Sequence, residues 1–267
     1  EGLPIGELEW LRGMREHAMS NFNRSGFPTT RRGNEEWKYT DIKSLSKNLF
    51  TEFSPYYVHQ TRAKIKTEKL NVDPLHEKIV FEDGICVAKT FQENSYVMNI
   101  TAEDALSNKK NEQIETYLGK LTQIQENFFT ALNTTFFSFG AFVYIPDNTA
   151  VSKPIHISIQ TTDKSEGNVV NPRILIVLGN NSKATLIEEY LGSGNKKYLN
   201  NSVIEIIIGE NSHLDHYRMQ NEDIESFGIT NTTVWIKSNG YYESTVTDIG
   251  GTLVRNNLNV ITQQEGG

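Results

Sequence analysis

Cysteine is nearly absent. Cys86 is the only one in 267 residues, so an internal disulfide framework is excluded, as is a zinc or iron–sulfur site built from this chain's own thiols. Long apolar runs are also missing. None approaches the roughly 20 residues of a membrane span, and the mean hydropathy is -0.47. Positive charge is not in excess: 26 Lys and Arg against 33 Asp and Glu give a net charge of -7. No basic stretch could displace counterions from a nucleic-acid backbone. No secretion signal opens the chain, so a cytoplasmic location is the default expectation. The glycines do not fall into a phosphate-loop or dinucleotide-binding spacing, and Gly250-Gly251 reads as a turn. Residue 1 is Glu and the chain stops at Glu265-Gly266-Gly267 without a terminating element, which is the pattern expected of a piece of a longer protein.

What is present falls into two regimes, residues 1–139 and 140–267. Leu8, Leu11, Met14, Ala18 and Phe22 recur at steps of three and four, predicting an amphipathic helix from Gly6 to Phe22 that Gly26-Phe27-Pro28 ends. A second stripe, Ile114, Leu118, Leu121, Phe128 and Leu132, predicts a helix through Asn111 to Asn133. Between them, Glu82-Asp83-Gly84 is a hairpin signal between two short apolar runs. A small irregular β element is expected between Ser54 and Thr101.

After Gly140 the chain becomes short β-branched runs punctuated by Asn, Gly, Ser and Asp, which predicts an all-β half. Ile174 to Ser182 overlays Ile204 to Ser212 at a spacing of 30, matching an apolar run, a Gly and an Asn-Ser turn. Val234 to Gly240 repeats the idea one period on. A fixed period of this size is the mark of a solenoid, here a parallel β-helix; a β-sandwich is the competing architecture. Asn occurs 26 times and suits the left-handed corners that each coil needs. Strict alternation puts Ile204, Ile206 and Ile208 on one face and Glu205 on the other, where Glu205 is expected to face solvent.

No catalytic, cofactor-binding or metal-ligating residue is assigned from these patterns. His213 and His216 are the only close histidine pair, and three residues apart on an extended segment they point to opposite faces, so they read as part of a solvated turn. His156 lies opposite the isoleucine stripe of Ile155 to Gln160 and reads as surface or interface. Cys86 reads as a buried inert thiol. The carboxylates Asp215, Glu222, Asp223, Glu225 and Asp248 raise the alternative of a β-helical carbohydrate-active enzyme, but they form no tight cluster and read as exposed acids on turns. A structural solenoid adaptor is the other alternative.

The segment Glu35-Glu36-Trp37-Lys38-Tyr39-Thr40-Asp41-Ile42 resembles the E-x-W-[KR]-Y-T-D-[IL] signature of the SufD family of iron–sulfur cluster assembly proteins. Pro172 to Leu178 with Ala184 to Tyr190, and Gly251 to Val260, are similar to core segments of the same family. The resemblance implies an N-terminal helical region and a right-handed parallel β-helix core. It implies a non-ATPase scaffold subunit that pairs with its paralogue SufB and the ABC ATPase SufC, with an iron–sulfur cluster formed between SufB and SufD. No cofactor is implied for this chain alone, and its self-association is left open. The core coils, cluster-ligand histidine and SufC-docking helices that complete the family would lie beyond Gly267, so no ligand is carried onto any residue here. Within the signature, Trp37 and Tyr39 are expected to anchor the N-terminal region on the core, and Thr40 or Asp41 to cap a following helix.

Overall fold

A computed structural model describes residues 8–28, 35–40, 42–47, 52–53, 77–89, 96–99, 111–122 and 127–263. Helix α1 (Glu9–Ser25) is followed by a single 3-10 turn (Glu35–Trp37), α2 (Lys43–Lys47) and strand β1 (Glu52–Phe53). Then come β2 (Glu77–Glu82), β3 (Ile85–Lys89), β4 (Val97–Asn99), α3 (Asn111–Tyr117) and α4 (Phe128–Phe136). The remaining strands are β5 (Phe139–Ile145), β6 (Ile155–Thr161), β7 (Asn168–Val170), β8 (Pro172–Leu178) and β9 (Lys183–Gly192). They continue as β10 (Leu199–Ile208), β11 (His213–Asn221), β12 (Phe227–Ile236), β13 (Tyr241–Ile249) and β14 (Leu253–Thr262).

From β5 onward the chain winds as a β-solenoid of about 4 turns, each coil giving one strand to each of two parallel sheets. Sheet A stacks β5, β8, β10, β12 and β14, and sheet B stacks β6, β9, β11 and β13. The register realises the expected period: Arg173 pairs with Val203 and Lys183 with His213, 30 residues on in each case. It shortens to 28 from Leu199 to Phe227 and to 26 from Phe227 to Leu253. All these pairings are parallel, which excludes the sandwich. The N-terminal region adds strands to both sheets, because β2 pairs with β6, β1 with β7 and β4 with β5.

The corners explain the asparagines. Asn148, Asn181, Asn211 and Asn239 occupy equivalent corners with φ of 58°, 54°, 54° and 56°. Asn is the side-chain-bearing residue that tolerates this region best. Their amides form a ladder: Asn181 donates to Asn148 at 3.2 Å, Asn211 to Asn181 at 3.3 Å and Asn239 to Asn211 at 3.2 Å. Gly209 precedes one corner because a Cβ there would stand 2.6 Å from the Gly179 backbone of the coil before. Asp83 and Gly84 take φ of 46° and 86° and close the β2–β3 hairpin, as the sequence predicts.

Three apolar layers hold the fold. The lumen contains Ile157, Ile159, Ile174, Ile176, Ile204, Ile206 and Ile208, all buried. On the outer face of sheet A, Leu175, Val177 and Ile207 pack under Leu11, Ile114 and Leu118. Further along the same face, Val169, Leu199, Phe227 and Ile229 pack under Trp37, Ile42, Phe129 and Leu132. The helices therefore cover sheet A.

Two expectations need correction. The helix foreseen from Asn111 to Asn133 is two helices: α3 stops at Tyr117, Gly119 turns at φ 76°, and residues 123–126 lie outside the described set. The backbone N–H groups of Gly119 and Leu121 are claimed by the Glu205 carboxylate at 2.9 and 3.2 Å. Asn127 then caps α4 by accepting from Phe129 and Thr130 N–H at 3.0 and 3.1 Å. Second, Glu205 does not face solvent. Alternation does turn it away from the lumen, but the face it reaches is covered, and it is 0% exposed. The first helix forms as expected, displaced to Glu9–Ser25 and ended by Gly26 at φ 63°.

Candidate functional site

The solenoid lumen changes character along its axis. On sheet B the inward positions of β6 are Ile155, Ile157 and Ile159, and one rung on they become Leu186, Glu188 and Tyr190. A rung later they are His216, Arg218 and Gln220. Glu188 is 0% exposed, His216 3% and Arg218 5%, so ionisable groups are packed where the first coil holds isoleucine. Burial of charge is costly unless each group is paired. Pairing is partial: Tyr190 Oη donates to Glu188 Oε2 at 3.2 Å, while His216 Nε2 and Glu188 Oε1 lie 3.3 Å apart without a hydrogen bond. His216 Nδ1 lies 2.9 Å from Tyr242 Oη on the next strand. Arg218 donates to Asp248 Oδ1 at 2.9 Å and Thr230 Oγ1 at 2.8 Å, and its guanidinium lies 4.7 Å from the Tyr190 ring centroid.

A second group continues the network. Glu222 accepts from Asn200 at 3.0 Å and from Gln220 at 3.4 Å, and the Gln220 carbonyl accepts from Ile249 N–H at 3.1 Å. Burial raises the Glu222 carboxyl above its ordinary value, against the pull of Asn200 and Arg218. Burial, then the Glu188 charge, raises the Tyr190 phenol, and burial pushes Tyr242 up to about 12. Both phenols therefore stay protonated at neutral pH, and Tyr190 donates to Glu188. The network contains no thiol and no activated hydroxyl; its chemistry is proton donation, acceptance and charge balance.

The residues singled out from sequence are distributed as follows. His213 and His216 do point to opposite faces, but neither belongs to a solvated turn: both lie in β11. His213 meets Asp215 at 2.8 Å and stacks on Tyr241 at 4.5 Å, while His216 is in the lumen. His156 is on the outer face of sheet B, 3.3 Å from Glu189. Contact with His156 holds the Glu189 carboxyl below its usual range, with Lys78 and Ser158 assisting against partial burial. Cys86 is buried, its Sγ 3.9 Å from Ala88 O, as expected of an inert thiol.

The five acids are not simply exposed on turns. Glu222 and Asp223 are buried and Asp215, half-buried, pairs with His213, whereas Glu225 and Asp248 are exposed as expected, Asp248 while pairing with Arg218. Asp223 is used to hold a loop, accepting from Gly194 N–H at 2.8 Å and Lys196 N–H at 3.2 Å. Among the described residues, no group of three or more His, Cys, Asp and Glu could hold a metal ion, and no helix is long and apolar enough to cross a membrane.

The signature segment divides. Trp37 is buried against Phe129 at 5.3 Å with the Arg255 guanidinium 4.2 Å above its ring, so it is an anchor. Tyr39 is 90% exposed, and its ring meets only the neighbouring Lys38 ammonium at 5.4 Å among the described residues, so it is no anchor. Thr40 accepts from Arg255 at 2.7 Å, tying the segment to β14, and Asp41 lies outside the described residues.

Sequence reasoning missed the buried pair Arg173–Glu205, both side chains 0% exposed. It also missed the lumen pairing of Glu188 with the Arg218 rung. The signal was available. Register at 30 residues sets Arg173 beside Val203, hence on the same face as Glu205, and sets Glu188 beside Arg218.

The SufBD protein N-terminal region family matches residues 5–157, and the family described as SUF system FeS cluster assembly, SufBD core domain, matches residues 159–267. The chain is 30% identical over 242 residues to the iron–sulfur cluster assembly SufBD family protein slr0076 of Synechocystis, covering 86% of this chain and 52% of that protein. It is 32% identical over 188 residues to the SufBD family protein ycf24 of Guillardia theta, covering 69% of this chain and 37% of that one. A chloroplastic protein of Arabidopsis thaliana, ABCI7, is 29% identical over 44% of this chain and 26% of its own length. The chain thus spans about half the length of the Synechocystis relative. With both matches in chain order, and the solenoid and signature where they fall, the chain belongs to the SufBD family of iron–sulfur cluster assembly proteins.

Proposed function

We propose that this chain is a SufD-type scaffold subunit without ATPase activity of its own. It pairs with a SufB-like paralogue and a SufC-like ABC ATPase in the cytoplasm, and the cluster is cargo assembled between subunits. One observation carries the choice of the SufD type: the segment Glu35 to Ile42 matches the SufD signature, and its Trp37 is buried against Phe129 at 5.3 Å. Within residues 1–267 the one thiol, Cys86, is buried at 7% exposure in the lumen core, so this part of the protein offers no exposed thiol. The sequence has no phosphate loop, so nucleotide hydrolysis falls to the ATPase partner. The lumen network supports a scaffold role too, since its charged groups are committed to one another.

The test is co-purification. A tagged full-length version of this protein, co-expressed with the SufB-like and SufC-like proteins of its own organism, should retain both through gel filtration. The 267-residue chain should lose the ATPase, because the resemblance puts the docking helices after Gly267. Failure of the full-length protein to retain either partner contradicts the reading.

A further inference from the structure

The helical layer is fastened to sheet A by polar contacts at four successive rungs. On β8, Asn133 of α4 donates to Pro172 O at 2.8 Å, and Arg173 donates to Asn133 Oδ1 at 3.2 Å and Thr134 Oγ1 at 2.9 Å. On β10, Asn133 donates to Asn201 O and Asn201 to Phe129 O, at 2.8 and 2.9 Å, while Glu205 takes the Gly119 and Leu121 N–H groups. On β12, Asn231 accepts from Asn127 at 2.9 Å. On β14, Arg255 reaches Thr40 and lies over Trp37. Arg15 joins α1 to the layer by donating to Thr135 O at 3.0 Å and Phe137 O at 2.8 Å.

Apolar packing alone tolerates small slips, whereas a fully buried ion pair with every lone pair used has one geometry or none. Solenoid coils ordinarily feel only their neighbours. A rigid layer fixed at β8, β10, β12 and β14 makes those rungs move together. The polar fastenings regain water when released, while the apolar contacts of the layer with Leu175, Val177, Ile207, Leu199 and Phe227 oppose opening.

We propose that the N-terminal layer is a strap that opens from sheet A and recloses as one unit, with the Arg173–Glu205 pair as its latch. The strap couples the rungs of sheet A, so loosening the latch at β10 is felt at β14, which is two rungs away and makes no contact with Glu205. The proposal stands on the geometry and does not depend on the SufD-type assignment.

Hydrogen exchange with mass spectrometry on the 267-residue chain tests it by comparing wild type with Glu205→Gln. In the variant, exchange should rise together, by about tenfold or more, in α1, in residues 111–122 and 127–137 and in β14, with β9 and β11 held within about twofold. Acceleration confined to residues 111–122 and β10 would show no unit-wise strap. Acceleration spread equally to β9 and β11 would show general destabilisation, and no change would show no latch; each overturns the proposal. If Glu205→Gln fails to fold, Thr134→Ala, which removes one acceptor of Arg173, should give the same pattern at smaller amplitude.

Discussion

A carboxylate with no solvent contact persists only if its lone pairs are used, and Glu205 meets that condition with Arg173, Gly119 N–H and Leu121 N–H. Glu205→Ala should therefore cost roughly 3–5 kcal/mol, because it strands a buried guanidinium. Ile206→Asp, its neighbour on the lumen face, should cost several kcal/mol by burying an unpaired carboxylate, against a total stability of roughly 5–15 kcal/mol. Urea midpoints should fall for both; a tolerant Glu205→Ala would mean that the helices do not cover sheet A. Glu222 makes a pH prediction. Its folded value is raised above the ordinary 4.5, so folding favours the protonated form. The stability it contributes is full below the unfolded value and is lost as pH rises through the folded one. Wild type should lose ground to Glu222→Gln as pH rises from about 4.5 to 8, read from urea midpoints. A gap that stays flat across that range would contradict the buried placement.

At the scale of elements, the ladder of corner asparagines sets the coil. Asn211→Ala should cost about 1–2 kcal/mol from left-handed strain together with two lost amide contacts, and Asn211→Gly less, since glycine removes the strain but not the contacts. Equal effects in thermal or urea unfolding would show that the amide ladder, not φ, dominates. Strands and corners were legible because both signals are local: alternation assigns Ile204, Ile206 and Ile208 to one face whatever lies on the other. What covers the other face is not local. Glu205 reads as exposed until α3 is brought over it from 84 residues away, and that same contact breaks the helix foreseen from Asn111 to Asn133. His216 was misjudged for a related reason. A histidine on the inward face of a strand is buried whatever its polarity, and only the rung of Glu188 beside it makes that tolerable. Tyr39 failed in the opposite sense: an aromatic in a specific motif need not be packed, and its neighbour Trp37 does the anchoring.

For the whole molecule, one lumen combines an apolar first coil with a charged middle, and both sheets are lengthened by strands from the N-terminal region. The motif segments Glu35 to Ile42 and Pro172 to Tyr190 lie within the two family matches, residues 5–157 and 159–267. The polar lumen becomes legible only when alternation along a strand is combined with the 30-residue register, which sets Glu188 beside Arg218. The chain's described residues offer one buried thiol and no group of three or more His, Cys, Asp and Glu that could hold a metal ion. The proposed scaffold role therefore puts the cluster on ligands that residues 1–267 do not supply alone. Anaerobic reconstitution of the purified chain with iron and sulfide, followed by visible absorption and iron and sulfide assay after desalting, tests this most directly. The account predicts no stoichiometric cluster on the chain alone, and a stoichiometric cluster that survives both desalting and Cys86→Ser would contradict it.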